Sequence, residues 1–231
     1  MILYYISDRH GLVGDEAEQR ARLLAKIEEA ARAGVEYIQL RERDLSGREL
    51  EELAQAAVER IAGFPKTKLL INSRIDIAIA VGAHGVHLRA DDMSGGDARA
   101  VFDASPGYQG RTPVIEVSCH SAEEVAMAEA QGADFAVLAP IFEKQSDDRP
   151  ALGLKELARA CRRPAAAASR MPVLALGGIT VTNAANCLAA GAAGVAAIRL
   201  FQSAEIANVV QELGGRAGGP QGHERHPYWP H

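Results

Sequence analysis

Residues 69–92 read LLINSRIDIAIAVGAHGVHLRADD, and the order of residue types in this stretch decides the fold. Leu69–Ile71 and Val86–Leu88 are short, mainly apolar runs with little alternation, the composition of strands buried on both faces. Each gives way at once to polar residues that bind or ionise: Asn72 and Ser73 after the first, Arg89, Asp91 and Asp92 after the second. Between them, residues 74–81 carry the spacing of a short helix. Strand, polar turn and helix in succession form the unit of a parallel sheet covered by helices.

Outward from this stretch the unit repeats along the chain. Strands are predicted over 2–6, 35–40, 68–71, 86–88, 114–117, 135–138, 173–176 and 194–198. Helices are predicted over 16–33, 46–62, 74–81, 94–103, 121–131, 153–161, 180–190 and 203–213. In the first helix Ala21, Leu24, Ile27 and Ala31 recur at three- and four-residue steps, which gives one buried face. Helix ends lead into strands through AGVEYIQL, VGAHGVHL, QGADFAVL and AGAAGVAAI, each with a glycine shortly before the strand, a weak internal echo of one βα unit. Eight units predict an α/β protein with a closed (β/α)8 TIM barrel over residues 1–213, rather than an open doubly wound sheet. No GxGxxG follows the first strand, which weighs against dinucleotide binding. From Gly214 the sequence GGRAGGPQGHERHPYWPH is rich in Gly and Pro without apolar period, so residues 214–231 are expected to form a disordered tail. His223, His226 and His231 within it read as a solvated tail rather than a metal site, which needs fixed geometry.

The 231-residue chain has a formal net charge of -5 with both signs mixed along its length, which argues against a nucleic-acid partner and for small-molecule work. No apolar stretch is long enough to span a membrane, and the start MILYYISDRH lacks the basic region of a secretory signal, so the expected location is the cytoplasm. Cys119, Cys161 and Cys187 form no CxxC pair and are read as reduced packing residues.

In a barrel of this kind, functional groups stand on the loops that follow the strands, so the polar clusters converge on one mouth. After strand two, QLRERD supplies Gln39, Arg41 and Arg43; the arginines alternate along the strand end, and a planar guanidinium suits a phosphate or diphosphate, the plainer alternative being an Arg–Glu surface pair. After strand three, Asn72 offers a donor and an acceptor to a heterocycle. Strand four contains His87, and Asp91 and Asp92 follow it as either a magnesium carboxylate or a helix cap. After strand five, EVSCHS places Ser118, Cys119 and His120 at the mouth; His120 is either a proton-transfer group or a brace for the next helix. After strand seven come Gly177, Gly178 and a helix expected to start near Thr180, and after strand eight Ile198 and Arg199. Backbone amides of two such loops with a helix start make a phosphate site.

Together, YYISDR, YIQLRERD, LLINSRIDIA, GAHGVHLRADD, VSCHSAEEV, GADFAVLAPIF, PVLALGGIT and GAAGVAAI, in order over about residues 2 to 201, resemble the thiamin phosphate synthase and thiazole tautomerase (TenI-type) family. The resemblance implies a (β/α)8 barrel that binds a thiazole phosphate, with its phosphate at Gly177, Gly178, Ile198 and Arg199. For a synthase, which joins a pyrimidine methyl diphosphate to the thiazole, it implies that Gln39, Arg41 and Arg43 hold the diphosphate, that Asn72 and His87 lie near the pyrimidine, and that Asp92 binds Mg2+.

The chain departs from the synthase pattern in several places. Ser73 stands where the family has Asp, and APIFEKQSDDR puts Lys144, Gln145, Ser146 and Asp147 where a Thr-x-Thr-Lys run is usual. An Asp there would repel diphosphate unless Lys144 or Arg149 substitutes. Arg43 replaces a usual Lys and Arg199 a usual Ser. Two alternatives therefore stay beside the synthase: a metal-free tautomerase with His120 as acid–base group, and a non-catalytic thiazole or thiamin phosphate binder. The expected partners are small-molecule substrates, with no nucleic acid or membrane; a homo-oligomer is left open.

Overall fold

Eight parallel strands close on themselves in the order of the sequence, each hydrogen-bonded to the next and the last to the first. They are β1 (Ile2–Ile6), β2 (Tyr37–Leu40), β3 (Lys68–Asn72), β4 (Gly85–Leu88), β5 (Val114–Cys119), β6 (Phe135–Leu138), β7 (Val173–Leu176) and β8 (Gly194–Ala197). This is the expected (β/α)8 TIM barrel. The computed structural model describes residues 1–142, 150–162 and 171–217. The loop residues Lys144, Gln145, Ser146, Asp147 and Arg149, weighed as a diphosphate contact, lie outside the described residues, as do His223, His226 and His231.

The connecting helices are α1 (Glu16–Arg32), α2 (Gly47–Ile61), α3 (Ile75–Ala80), α4 (Gly95–Asp103), α5 (Ala122–Ala130), α6 (Gly153–Cys161), α7 (Ala184–Ala189), α8 (Arg199–Gln202) and α9 (Ile206–Ala217). Their starts follow from the sequence. Asp15 with Glu18, and Ser46 with Glu49, form reciprocal capping boxes at α1 and α2, and the hydroxyls of Ser94 and Ser121 accept backbone N–H groups at α4 and α5. Their ends follow too: Gly34, Gly82, Gly132 and Gly191 take positive φ in the turns that lead into β2, β4, β6 and β8.

Two elements differ from the sequence expectation. The segment expected to be helical from Thr180 is first a turn, in which Asn183 accepts from Thr180 N–H, Thr180 Oγ1 accepts from Asn183 N–H, and the Asn183 amide donates to the Gly178 carbonyl at 2.9 Å. These side chains satisfy the backbone locally and delay α7 to Ala184. An unexpected single turn, α8, precedes the last expected helix, and that helix, α9, starts at Ile206 and runs to Ala217, past the boundary expected at 213.

Apolar side chains fill two layers. An outer layer between sheet and helices holds Leu23, Ile27, Ile38, Leu69, Val86, Ile115 and Ala136, while Tyr4, Ile6, Tyr37, Leu70, Val114, Phe135, Val137 and Leu174 fill the lumen. Tyr4, Tyr37 and Phe135 meet with ring centroids 4.6 to 6.1 Å apart, which plugs the barrel below its mouth. Among the described residues no helix is long and apolar enough to cross a membrane.

Candidate functional site

Strand parity sorts the predicted residues. Tyr37 and Leu70 point into the lumen, so Gln39 and Asn72, two positions further along β2 and β3, point the same way, and Arg41 continues that parity past the end of β2. Register then aligns Asn72 with His87 on β4, and His87 with Glu116 on β5. Ser118 shares the inward parity of Val114. Cys119 does not: it packs in the outer layer and is buried, which raises its thiol pKa to about 12. The expectation that Cys119 stands at the mouth is thus corrected, because β5 runs on to Cys119 and the pleat turns it outward. Cys119, Cys161 and Cys187 are all buried.

A chain of polar side chains runs around one half of the mouth. Gln39 Nε2 donates to Asn72 Oδ1 at 3.2 Å, Asn72 Nδ2 to Ser73 Oγ at 3.4 Å, and Ser73 Oγ to Asp92 Oδ2 at 2.7 Å. Ser73 has φ +55, and its N–H donates to the His87 carbonyl at 2.8 Å. That left-handed turn aims its hydroxyl at Asp92, at a cost of about 1–2 kcal/mol for a side chain other than glycine. Partial burial acts to raise the Asp92 pKa, but the Arg89 N–H and the Ser73 hydroxyl outweigh it and hold the carboxyl below its usual value. Gln39 Oε1 is buried with no partner among the described residues, an acceptor left for a ligand.

Beside this chain lies a cavity of about 230 Å3 whose walls include Arg43, Asn72, Ser73, Arg74 and Arg89. Burial, and then the neighbouring Arg43, lower the pKa of Arg41, so an anion between the two guanidinium groups would relieve both. The arginine loop is held by a buried ion-pair network. Arg9, almost wholly enclosed, donates to Glu42 at 3.0 Å and to Glu16 at 3.0 Å, and also pairs with Asp44. Ser7 Oγ donates to Glu42 at 2.6 Å and accepts the Arg41 N–H at 2.8 Å.

The other half of the mouth is built from backbone. A cavity of about 310 Å3 is bounded by Asp8, Leu176 to Ile179 and Ala196 to Leu200. Gly177 has φ +101, and a Cβ there would lie 2.8 Å from Pro140 Cα, so both conformation and space require glycine. Gly178 has φ +63. Among the described residues no acceptor meets the N–H groups of Gly177, Gly178, Arg199 or Leu200. Ile198 closes the floor and Arg199 stands exposed at the edge. The helix start here is that of α8, not the one expected near Thr180.

His120 lies between the halves. Its Nδ1 donates to the Ala139 carbonyl at 2.7 Å, its N–H donates to Glu124 at 2.6 Å, and Nε2 has no partner among the described residues.

The family model described as thiamine monophosphate synthase matches residues 4–201. The chain belongs to the thiamine monophosphate synthase family. It is 39% identical over 192 residues to a thiamine-phosphate synthase of Methanoculleus marisnigri, covering 81% of this chain and 84% of the relative. It is 41% identical over 184 residues to a thiamine-phosphate synthase of Chlorobium luteolum, covering 79% and 81%. Among solved structures it is similar to a thiamine phosphate pyrophosphorylase from Pyrococcus furiosus, with a TM-score of 0.74 and 26% identity over 94% of this chain and 95% of that one.

Within this family member, sequence reasoning passed over three groups. Glu116 is fully buried and bonded to His87 and Tyr4, but its place in an apolar strand gave no sign of a lumen-facing partner. Arg74 lines the arginine cavity from what reads as a helix start. Arg9 was hidden because its partners Glu42 and Asp44 lie more than thirty residues away.

Proposed function

We propose that the protein is a thiamine-phosphate synthase that joins a pyrimidine methyl diphosphate to the nitrogen of a thiazole phosphate and releases diphosphate. The observation that carries this reading is two separate cavities in one mouth, one lined by arginines and one by free backbone amides. The names of the relatives agree with it. Arg41 and Arg43 hold the diphosphate, and the amides at Gly177, Gly178 and Arg199 hold the thiazole phosphate. Gln39, Asn72, His87 and Ser118 line the space between for the pyrimidine.

The C–O bond of the pyrimidine methyl group breaks with its electron pair leaving on the diphosphate. The guanidinium groups stabilise that charge, and the thiazole nitrogen then gives its lone pair to the carbon. Magnesium fits the donors present, since a hard cation is commonly held by one or two carboxylates plus substrate phosphate oxygens. Asp92 would supply the carboxylate and Ser73 a hydroxyl beside it, and the bound ion would add positive charge next to the leaving diphosphate. Ser73 in place of a second carboxylate predicts weak binding of the ion. The substrates are small molecules and the reaction belongs in the cytoplasm.

The test is to incubate the purified chain with both substrates and magnesium and to follow thiamine phosphate by mass spectrometry, omitting each component in turn. Product that needs both substrates is expected; no product with either metal condition would refute the synthase. A second reading, thiazole tautomerisation, draws on His120, whose ring is fixed through Nδ1 and leaves Nε2 for proton transfer. Metal-free isomer exchange abolished by His120→Ala would favour it.

A further inference from the structure

The chemistry above leaves unused a carboxylate with no exposed surface. Glu116 stands on β5, in register with His87 on one side and Phe135 on the other. Its Oε2 accepts from His87 Nδ1 and, at 3.1 Å, from the Tyr4 hydroxyl. Tyr4 comes from β1, which lies opposite β5 in a ring of eight strands, so the three residues make a polar bar across the lumen below the mouth. The second oxygen, Oε1, has no partner among the described residues. A leucine or methionine would plug the lumen without stranding a buried acceptor, so packing alone does not account for Glu116.

We propose that Glu116 is a positioning residue that acts through His87, holding the imidazole proton on Nδ1 so that Nε2 faces the mouth as a hydrogen-bond acceptor for a donor on the pyrimidine substrate. This deepens the synthase reading and rests on it. Paired with a carboxylate, Nδ1 is the donor, and in a neutral ring that leaves Nε2 with a lone pair. Nε2 has no partner among the described residues, and the ring keeps 10% of its side-chain surface open. The neighbouring Asn72 is already engaged by Gln39 and Ser73, so it does not compete for that lone pair. On the far side, burial and then the charge of Glu116 raise the Tyr4 pKa, which keeps its hydroxyl a donor and Oε2 occupied from both sides. A ring of the opposite tautomer would present a donor to the mouth and meet such a substrate group donor to donor.

The experiment combines two readouts on the full chain. Nitrogen NMR of histidine-labelled protein, with the His87 signal assigned by its loss in His87→Gln, is expected to show the proton on Nδ1. A wild-type proton on Nε2 overturns the proposal. In steady-state kinetics, Glu116→Leu is expected to raise KM for the pyrimidine diphosphate about tenfold with KM for thiazole phosphate little changed, and Glu116→Gln, which keeps an acceptor oxygen, to recover most of the loss. In a His87→Ala background the Glu116 substitutions should add nothing; additive losses, or equal changes in both KM values, overturn it. A wild type that does not turn over the pyrimidine diphosphate sinks the synthase reading instead, and the NMR signal then still decides whether Glu116 sets the tautomer.

Discussion

The loops after β2 to β4 and those after β7 and β8 both bind anions on this reading, yet they are built from opposite materials. The first half uses long side chains, Arg41, Arg43, Arg89 and Asp92; Ser7 reaches the Arg41 backbone from the end of β1, Ser73 reaches Asp92 from the end of β3, and Asp92 holds Arg89 within its own loop. The second uses backbone, Gly177, Gly178 and the first turn of α8, with few side chains that reach the cavity. A group that stays bound through the reaction suits fixed amides. A leaving diphosphate, whose charge grows as the bond breaks, suits cations and a metal beside them.

If the backbone half is as rigid as its geometry implies, the largest loss of ligand affinity should come from Gly177→Ala. A Cβ at φ +101 and 2.8 Å from Pro140 would strain or displace the loop by about 1–3 kcal/mol. Calorimetry should show thiazole phosphate affinity lost by about tenfold or more, and unchanged affinity would mean that the amides are not the ligands. Next in size, Asp92→Asn should abolish magnesium-dependent turnover while thiazole phosphate still binds. Full activity in that variant would remove Asp92 from the metal site and leave the side-chain half without its carboxylate.

Ser73→Asp would sharpen the contrast in the other direction. Asp tolerates the left-handed conformation at φ +55 better than most residues, and it returns a second carboxylate beside Asp92. The magnesium concentration for half-maximal rate should fall several-fold; a rise would show that the Ser73 hydrogen bond to Asp92 matters more than added charge. The smallest effect concerns Cys119 and Cys187, whose burial raises their pKa values to about 12 and about 11. At pH 8 both should resist alkylation in the native protein and react once it is unfolded, as peptide mass spectrometry would show.

The two halves also differ in how far they could be read from sequence. The backbone half was legible because glycine pairs and strand ends are local signals, although the turn through Asn183 that delays α7 was not anticipated. The barrel itself was legible for the same reason, since capping residues and helix-ending glycines act within a few positions. In the side-chain half the residue types were readable but their partners were not. Glu116 meets Tyr4 from 112 positions away, and Arg9 meets Glu42 from 33. Such pairings depend on strand register and barrel closure, which no short stretch encodes. Cys119 was misplaced because β5 runs two residues past its expected end, and the pleat puts Cys119 on the face opposite Ser118.

The most direct test of two distinct anion sites is a sequential calorimetric titration, first with thiazole phosphate to saturation and then with inorganic diphosphate and magnesium. The account predicts one thiazole phosphate per chain and a second, independent binding event for diphosphate that leaves the first ligand in place. Displacement of thiazole phosphate by diphosphate would mean a single shared site and would contradict the division of the mouth.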